Sequence, residues 1–364
     1  MKKSNPILMK ATMDNLLRRC LITVSAVVIA LVIGMVLILL MGNDPIVAFG
    51  ALVEGAFGSR NSFAETLLKV TPLLFTGMSY ALANRCGLTN LGMEGQMYMG
   101  ALGAAVVGIY VDLPAILHIP LCILAGFLLG GLWGLLAGWL KVRFGASEII
   151  TTVMLNTIAI YFIEFMVTDP ARMMEPGGVS GQSNPLLESA GLGVLIPNTR
   201  AHWGIVIGLL FIVLFWLFLW RSKKGYEVRV AGLNMQAAAY SGINTSGNIL
   251  LVMLLAGGVA GLAGACEVMG VQGRLYAGFS PGYGFDGIAV ALIGMNSPGG
   301  IIFGSLLFGA FSAGGNRMQM KAHVPYSIVN VIQAIVIFAV VASQMLLEIW
   351  DERQIKKQPR QQEA

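Results

Sequence analysis

Twenty-two residues from Cys20 to Met41 carry no formal charge, and they follow a basic start that runs from Met1 to Arg19. A secretory signal also sets basic residues before an apolar core, but that core runs only about 7–15 residues. An uncharged stretch above about 18 residues is long enough for a helix to cross a bilayer. A retained first membrane helix is therefore expected; the small residues Ala48–Ala51 leave cleavage as the lesser reading. Further apolar stretches follow at 65–83, 92–111, 115–140, 146–167, 203–220, 248–270, 284–296, 299–316 and 325–347. The eighth is short and flanked by glycine, so it is read as a full span or as a re-entrant helix sheltered by protein.

Composition agrees. Charged residues make up 11% of the 364 and apolar ones 56%, against about 25% charged in soluble proteins. Eighteen acids and 23 bases are too few to coat a soluble globule of 38.7 kDa. Disorder is excluded by the same hydrophobicity. The 46 glycines suit helices that approach closely in a membrane. The expected fold class is an all-α polytopic membrane protein of about ten transmembrane helices with both termini cytoplasmic. Its parts are a cytoplasmic segment 1–19, one membrane domain 20–348 and a cytoplasmic tail 349–364. Within the membrane domain, 221–247 is an inner loop and 168–202 an outer loop.

Lysine and arginine fix the orientation. With the N-terminus inside, sixteen of the 23 bases fall on the cytoplasmic side, including Arg85, Lys141, Arg143, Arg221 and Arg229. This is the asymmetry that orients membrane proteins, and it gives no sign of nucleic-acid binding. His118, His202 and His323 fall in outer loops, which argues against a histidine proton relay inside the membrane. Cys20, Cys86, Cys122 and Cys266 lie far apart and read as buried free thiols, with no metal-ligand spacing.

Two segments match in opposite orientations. GMEGQMYMGALGAA (Gly92 to Ala105) opens the third span and GFDGIAVALIGMNS (Gly284 to Ser297) the eighth. Each places an acid between glycines before a helix of small residues, and each precedes a glycine-rich span. The third span runs outward and the eighth inward, so the repeat is inverted, as in many transport folds.

Acids in the membrane cost about 2.5–3.5 kcal/mol each on insertion scales. Glu94 and Asp286 sit at glycine-flanked helix starts, where free N–H groups favour anionic or polar groups. They are candidates for the substrate pathway or simple dipole compensation. Asn90, Gln96, Asn156 and Asn296 are candidates to hydrogen-bond a polar substrate or to join helices. Glu148 reads as a helix N-terminal turn, while Glu164 and Glu267 lie near outer ends. Tyr80, Tyr98 and Trp133 are read as packing aromatics before stacking ones.

The loop RSKKGYEVRVAGLNMQAAAYSGINTSGN (Arg221 to Asn248) is the longest expected on the inner side and is far more polar than its neighbours. Asn234 is placed to cap a short amphipathic helix and Gly242 to stop it, which suggests docking of a cytoplasmic partner. The chain has no GxxxxGK[ST] phosphate loop and no catalytic triad, so energy for transport must come from a partner or an ion gradient.

GLTNLGMEGQMYMGA (Gly87 to Ala101), LKVRFGASEIITTVMLN (Leu140 to Asn156), GYEVRVAGLNMQAAAYSGIN (Gly225 to Asn244) and LAGGVAGLAGA (Leu255 to Ala265) resemble permease subunits of bacterial ABC importers. The superfamily serves simple sugars such as ribose, branched-chain amino acids and nucleosides, and the NLGMEGQ and AGLN versions look most like its nucleoside branch. The resemblance covers about 65–345. It implies a multi-pass protein of the bacterial inner membrane, without enzyme activity or cofactor of its own, pairing with a second permease. ATP and Mg would be used by a cytoplasmic ABC ATPase, and substrate delivered by an extracytoplasmic binding lipoprotein. By the same resemblance Gly225, Glu227, Arg229, Gly232, Asn234, Ala237, Ala238 and Gly242 would meet the ATPase. Met235 and Gln236 depart from relatives, which commonly have proline and an acidic or polar residue there. The competing readings are a sugar importer of the same type, an ion-coupled secondary transporter and a non-transporting scaffold.

Overall fold

A computed structural model describes the backbone of residues 6–177 and 181–357. Residues 1–5 and 358–364 of the two expected cytoplasmic ends, and 178–180 of the outer loop, lie outside the described residues, as do the side chains of 6–20, 344 and 347–357. The described chain is helical, with only isolated bridges outside the helices. The ten expected segments form α1 (Pro6–Leu40), α3 (Arg60–Asn84), α4 (Met93–Tyr110), α5 (Ala115–Phe144), α6 (Glu148–Thr168), α7 (Gly204–Arg221), α10 (Thr245–Glu267), α11 (Tyr283–Ile293), α12 (Pro298–Ala322) and α13 (Tyr326–Lys357).

Two helices were not expected. α2 (Pro45–Phe57) starts where the Asp44 carboxylate accepts from the N–H groups of Ile46 and Val47 and where Pro45 takes the first helical position. Ala48–Ala51 lie in the middle of this helix, not in an extended cleavage site. In the loop 221–247, α9 (Met235–Tyr240) is the expected short helix, and a second helix, α8 (Lys223–Leu233), precedes it.

Among the described residues, seven helices are long and apolar enough to cross a membrane: α1, α5, α6, α7, α10, α12 and α13. The fold is that of a multi-pass membrane protein. α3 and α4 have the length, 25 and 18 residues, but a more polar make-up. α11 has 11 residues and spans about 16 Å at 1.5 Å per residue, roughly half of a 30 Å hydrocarbon core. It is a half-helix, entered through the non-helical segment 273–282.

The chain divides into two compact units, 1–53 with 315–364 and 54–314. In the first, α1 packs on α13. Their buried residues recur at helical spacing, Ala26, Ala30 and Ile38 on one, Val329, Ile332, Val336 and Val340 on the other. In the second unit α10 packs on α4 and α5, and α3 packs on α11. The helix before each half of the repeat packs on the opposite half, α10 on α4 and α3 on α11. Close approach depends on glycine: a side-chain carbon at Gly100 would fall on the backbone of Gly261, and one at Gly287 on Thr76. Cys86, Cys122 and Cys266 are free and buried, as expected.

Candidate functional site

The N-termini of α4 and α11 meet. The Glu94 carboxylate in the first turn of α4 accepts from the Gly284 N–H in the first turn of α11 at 2.7 Å. A side-chain carbon at Gly284 would fall on the Glu94 backbone nitrogen. Ser280 closes the same helix start, its hydroxyl accepting from Gly282 and Tyr283 at 3.2 and 3.3 Å. Two helix N-termini carry partial positive charge, so opposing them is unfavourable unless acid lies between. Glu94 and Asp286 supply it.

Glu94 is 4% exposed. Asn90, Gln96 and Asn156 are buried beside it. Asn90 and Gln96 exchange hydrogen bonds between their amides at 3.1 and 3.2 Å, and Asn90 Oδ1 also accepts from Gly92 N–H at 2.9 Å. Asn156, from α6, accepts from Gly95 N–H at 2.8 Å and donates to the Leu91 carbonyl at 2.8 Å. Thr152 accepts from Leu91 N–H at 3.2 Å. These groups satisfy the backbone of the non-helical approach to α4, which in a membrane must find internal partners. Asp286 differs from them: its carboxylate is half-buried rather than sealed. Asn296 lies apart from the other five. It sits in the turn after α11, where its amide donates to Asn84 at 2.8 Å.

The remaining polar candidates have packing roles. Glu148 pairs with Lys141 at 2.6 Å in the first turn of α6. Trp133 donates to the Leu155 carbonyl at 3.3 Å, and Tyr98 packs on Phe279 with ring centres 4.5 Å apart. Glu164 is exposed as its outer position suggested, but Glu267 is buried, against that expectation. The cause is a π-helical turn, Val268–Gln272, that continues α10 past Glu267. Lys69 donates to the Tyr283 hydroxyl at 3.0 Å on this outer side. That pairing joins residues 214 apart in sequence, and no local pattern announces it.

The segment 221–247 is built to hold a rigid tip. Ser222 caps α8 by accepting from Gly225 N–H at 2.9 Å. A side-chain carbon at Gly225 would fall on the Phe218 carbonyl, so α8 lies directly against the end of α7. Val228 and Ala231 complete its buried face. The Lys224 ammonium, 2.8 Å away, holds the Glu227 carboxyl below its usual range. Asn234 ends α8 and caps α9, accepting from Ala237 N–H at 2.9 Å. Gly242 stops α9 in the left-handed region, φ 78°, where glycine is the default residue.

A model of the branched-chain amino acid transport system / permease component family matches residues 62–341. The chain belongs to this permease family. The permease is 35% identical over 328 residues to the guanosine ABC transporter permease protein NupP of Bacillus subtilis (strain 168), covering 90% of this chain and 94% of that one. It is 32% identical over 352 residues to the nucleoside ABC transporter permease protein NupB of Lactococcus lactis subsp. cremoris (strain MG1363), covering 93% and 94%. It is also 32% identical over 331 residues to the glucose ABC transporter permease protein TsgB13 of Haloferax volcanii, covering 88% and 87%.

In this permease the eight loop residues singled out by resemblance divide by burial. Gly225 and Ala238 are buried, Glu227, Arg229 and Gly232 are half-buried, and Asn234, Ala237 and Gly242 are exposed. The surface they display includes two residues that sequence reading passed over: Leu233 is 89% exposed and Tyr240 94%. They stand seven apart in a loop that also holds Val228, Val230 and Met235, so nothing in the spacing set them off. Gln236 is exposed and Met235 half-buried, so the departure from relatives falls partly on this surface.

Proposed function

We propose that the permease is the membrane-spanning subunit of an ATP-driven importer and forms, with a second permease, the pathway for nucleosides. An ABC ATPase docks on α8 and α9, and an extracytoplasmic binding lipoprotein delivers substrate at the outer face. One observation carries the substrate class: permeases named for guanosine and for nucleosides align over at least nine-tenths of this chain. The exposed Leu233 and Tyr240 support the ATPase dock, because aromatic and apolar groups on a rigid element are what a stable interface buries. Asn90, Glu94, Gln96 and Asn156 support the pathway by holding its broken helix, and Asp286 is the acid we place on the pathway itself. Asn296 serves the cytoplasmic turn. The ATP and Mg requirement belongs to the ATPase.

A glucose permease is as similar as one of the nucleoside permeases, and this favours simple sugars as the second reading. Uptake of labelled guanosine, glucose and ribose in a deletion strain, with and without the complementing gene, separates them. Guanosine uptake that depends on the gene supports the first reading; uptake of glucose or ribose alone overturns it. Uptake that survives loss of the partner ATPase and collapses with an ionophore would establish ion coupling instead.

A further inference from the structure

The turn that closes α11 is held from the end of α3. Met295 and Asn296 both lie in the left-handed region, with φ 49° and 50°. Asparagine tolerates that conformation and methionine resists it. The carbonyls of both residues meet one guanidinium. Arg85 Nε donates to the Asn296 carbonyl at 3.2 Å, and Nη2 donates to the Asn296 and Met295 carbonyls at 3.0 and 3.3 Å. Asn84, one residue earlier, accepts from the Asn296 amide at 2.8 Å. A cation with several donors suits the free carbonyls and partial negative charge at a helix C-terminus.

The same residues meet α8 through their backbone. A side-chain carbon at Gly232 would fall on the Arg85 carbonyl oxygen, and one at Gly87 would lie 3.4 Å from the Gly232 backbone. The guanidiniums of Arg85 and Arg229 lie 5.6 and 5.8 Å from the centre of the Trp220 ring. One residue thus touches the cytoplasmic segment through its carbonyl and the α11 turn through its guanidinium. α11 is short enough to move as a rigid piece, and its far end carries Phe285 and Asp286.

We propose that Arg85 is a positioning residue that carries displacement of α8 and α9 to α11. This rests on the docking of an ATPase at α8 and α9 proposed above. Coupling needs a contiguous physical path whose two ends are biased together, and the carbonyl and guanidinium of Arg85 form such a path.

The test uses the complete transporter with its partner ATPase in proteoliposomes, in a Cys20→Ser background. An environment-sensitive fluorophore is attached at Tyr226→Cys, an exposed position of α8, in one preparation and at Phe285→Cys in another. In the parent, ATP changes both signals. With Arg85→Gln, the Tyr226 response and ATP hydrolysis persist while the Phe285 response is lost and uptake per ATP falls about tenfold or more. Arg85→Lys keeps the charge but lacks the planar fork that meets both carbonyls, so its Phe285 response is reduced, and it serves if the glutamine variant does not assemble. A full Phe285 response in the variant that assembles overturns the role of Arg85. A Tyr226 signal that ignores ATP in the parent overturns the docking reading, and this inference with it.

Discussion

Glu94, in the first turn of α4, hydrogen-bonds the backbone of Gly284, in the first turn of α11, at 2.7 Å. An acid at the start of one of the two matching segments therefore caps the helix of the other. Removing it leaves a buried N–H without its partner, which costs about 1–3 kcal/mol. Glu94→Ala is expected to lower the thermal stability of the purified permease in detergent, whereas Glu94→Gln, which keeps an acceptor oxygen, loses less. Gly284→Ala brings a methyl group onto the Glu94 backbone and is expected to be at least as damaging, about 1–3 kcal/mol of overpacking. Equal melting temperatures for all three variants would remove this contact from the account.

Asp286 separates transport from scaffolding. Its carboxylate is half-buried and, unlike that of Glu94, receives no backbone N–H from the opposite helix among the described residues. Asp286→Asn is expected to leave assembly and melting temperature unchanged and to slow uptake about tenfold, equivalent to about 1.4 kcal/mol. Wild-type flux at equal expression would favour a non-transporting role for this centre.

In α8 and α9, Gly232 and the exposed pair Leu233 and Tyr240 are expected to fail in different ways. Gly232→Ala places a methyl group on the Arg85 carbonyl, so ATPase binds but hydrolysis and uptake separate. Leu233→Asp with Tyr240→Asp removes the apolar tip, and ATPase is lost from the complex on co-purification. Hot-spot truncations of this kind cost about 2 kcal/mol or more. ATPase that co-purifies in normal yield with the double variant would move the dock elsewhere. Charge reversal at Arg229 is expected to resemble Gly232→Ala.

His202 gives the outer loop a pH dependence of known sign. Burial pushes its pKa down to about 4 from 6.5, and Nδ1 accepts from the Gly204 N–H at 3.1 Å. The folded ring stays neutral while the unfolded one takes up a proton below its ordinary pKa. Stability is therefore complete above pH 6.5 and falls as pH drops from about 6.5 towards 4. Thermal melts across that range should show the decline, and His202→Gln should flatten it. An unchanged slope in the variant would show that other groups set the acid limit.

Most of the helices were legible because a membrane helix announces itself locally, by an uncharged run of sufficient length. α2 and α8 were not, for different reasons. α2 is too short for that rule, although Asp44–Pro45 is a recognisable start. α8 buries only Gly225, Val228 and Ala231, a stripe too narrow to stand out in a charged segment. At the site, the sequence marked Asn90, Glu94, Gln96, Asn156 and Asp286 as unusual in their surroundings. Asn90 and Gln96 pair over six residues, but the partnerships of Asn156 and Glu94 join residues 61 and 190 apart, and such distances are set by topology, not by spacing. Asn296 carried the same polar signal, yet its place is a turn at the opposite end of α11. Arg85 read as a topology charge because nothing local shows that it reaches two carbonyls more than 200 residues away.

Where Gly100 meets Gly261 and Gly264 meets the Met97 carbonyl, α4 and α10 touch through their main chains. Interlocked main chains have no side-chain layer to shear, so the two helices travel as one block. Any motion that opens the pathway is then taken up at joints, and the structure supplies three in succession: the π turn 268–272, the non-helical stretch 273–282 and the left-handed pair 295–296. All three flank α11, so this half-helix is bounded by irregular backbone at both ends while its first turn meets α4 at the Gly284 and Glu94 backbones, and any give at the joints is shared by that contact.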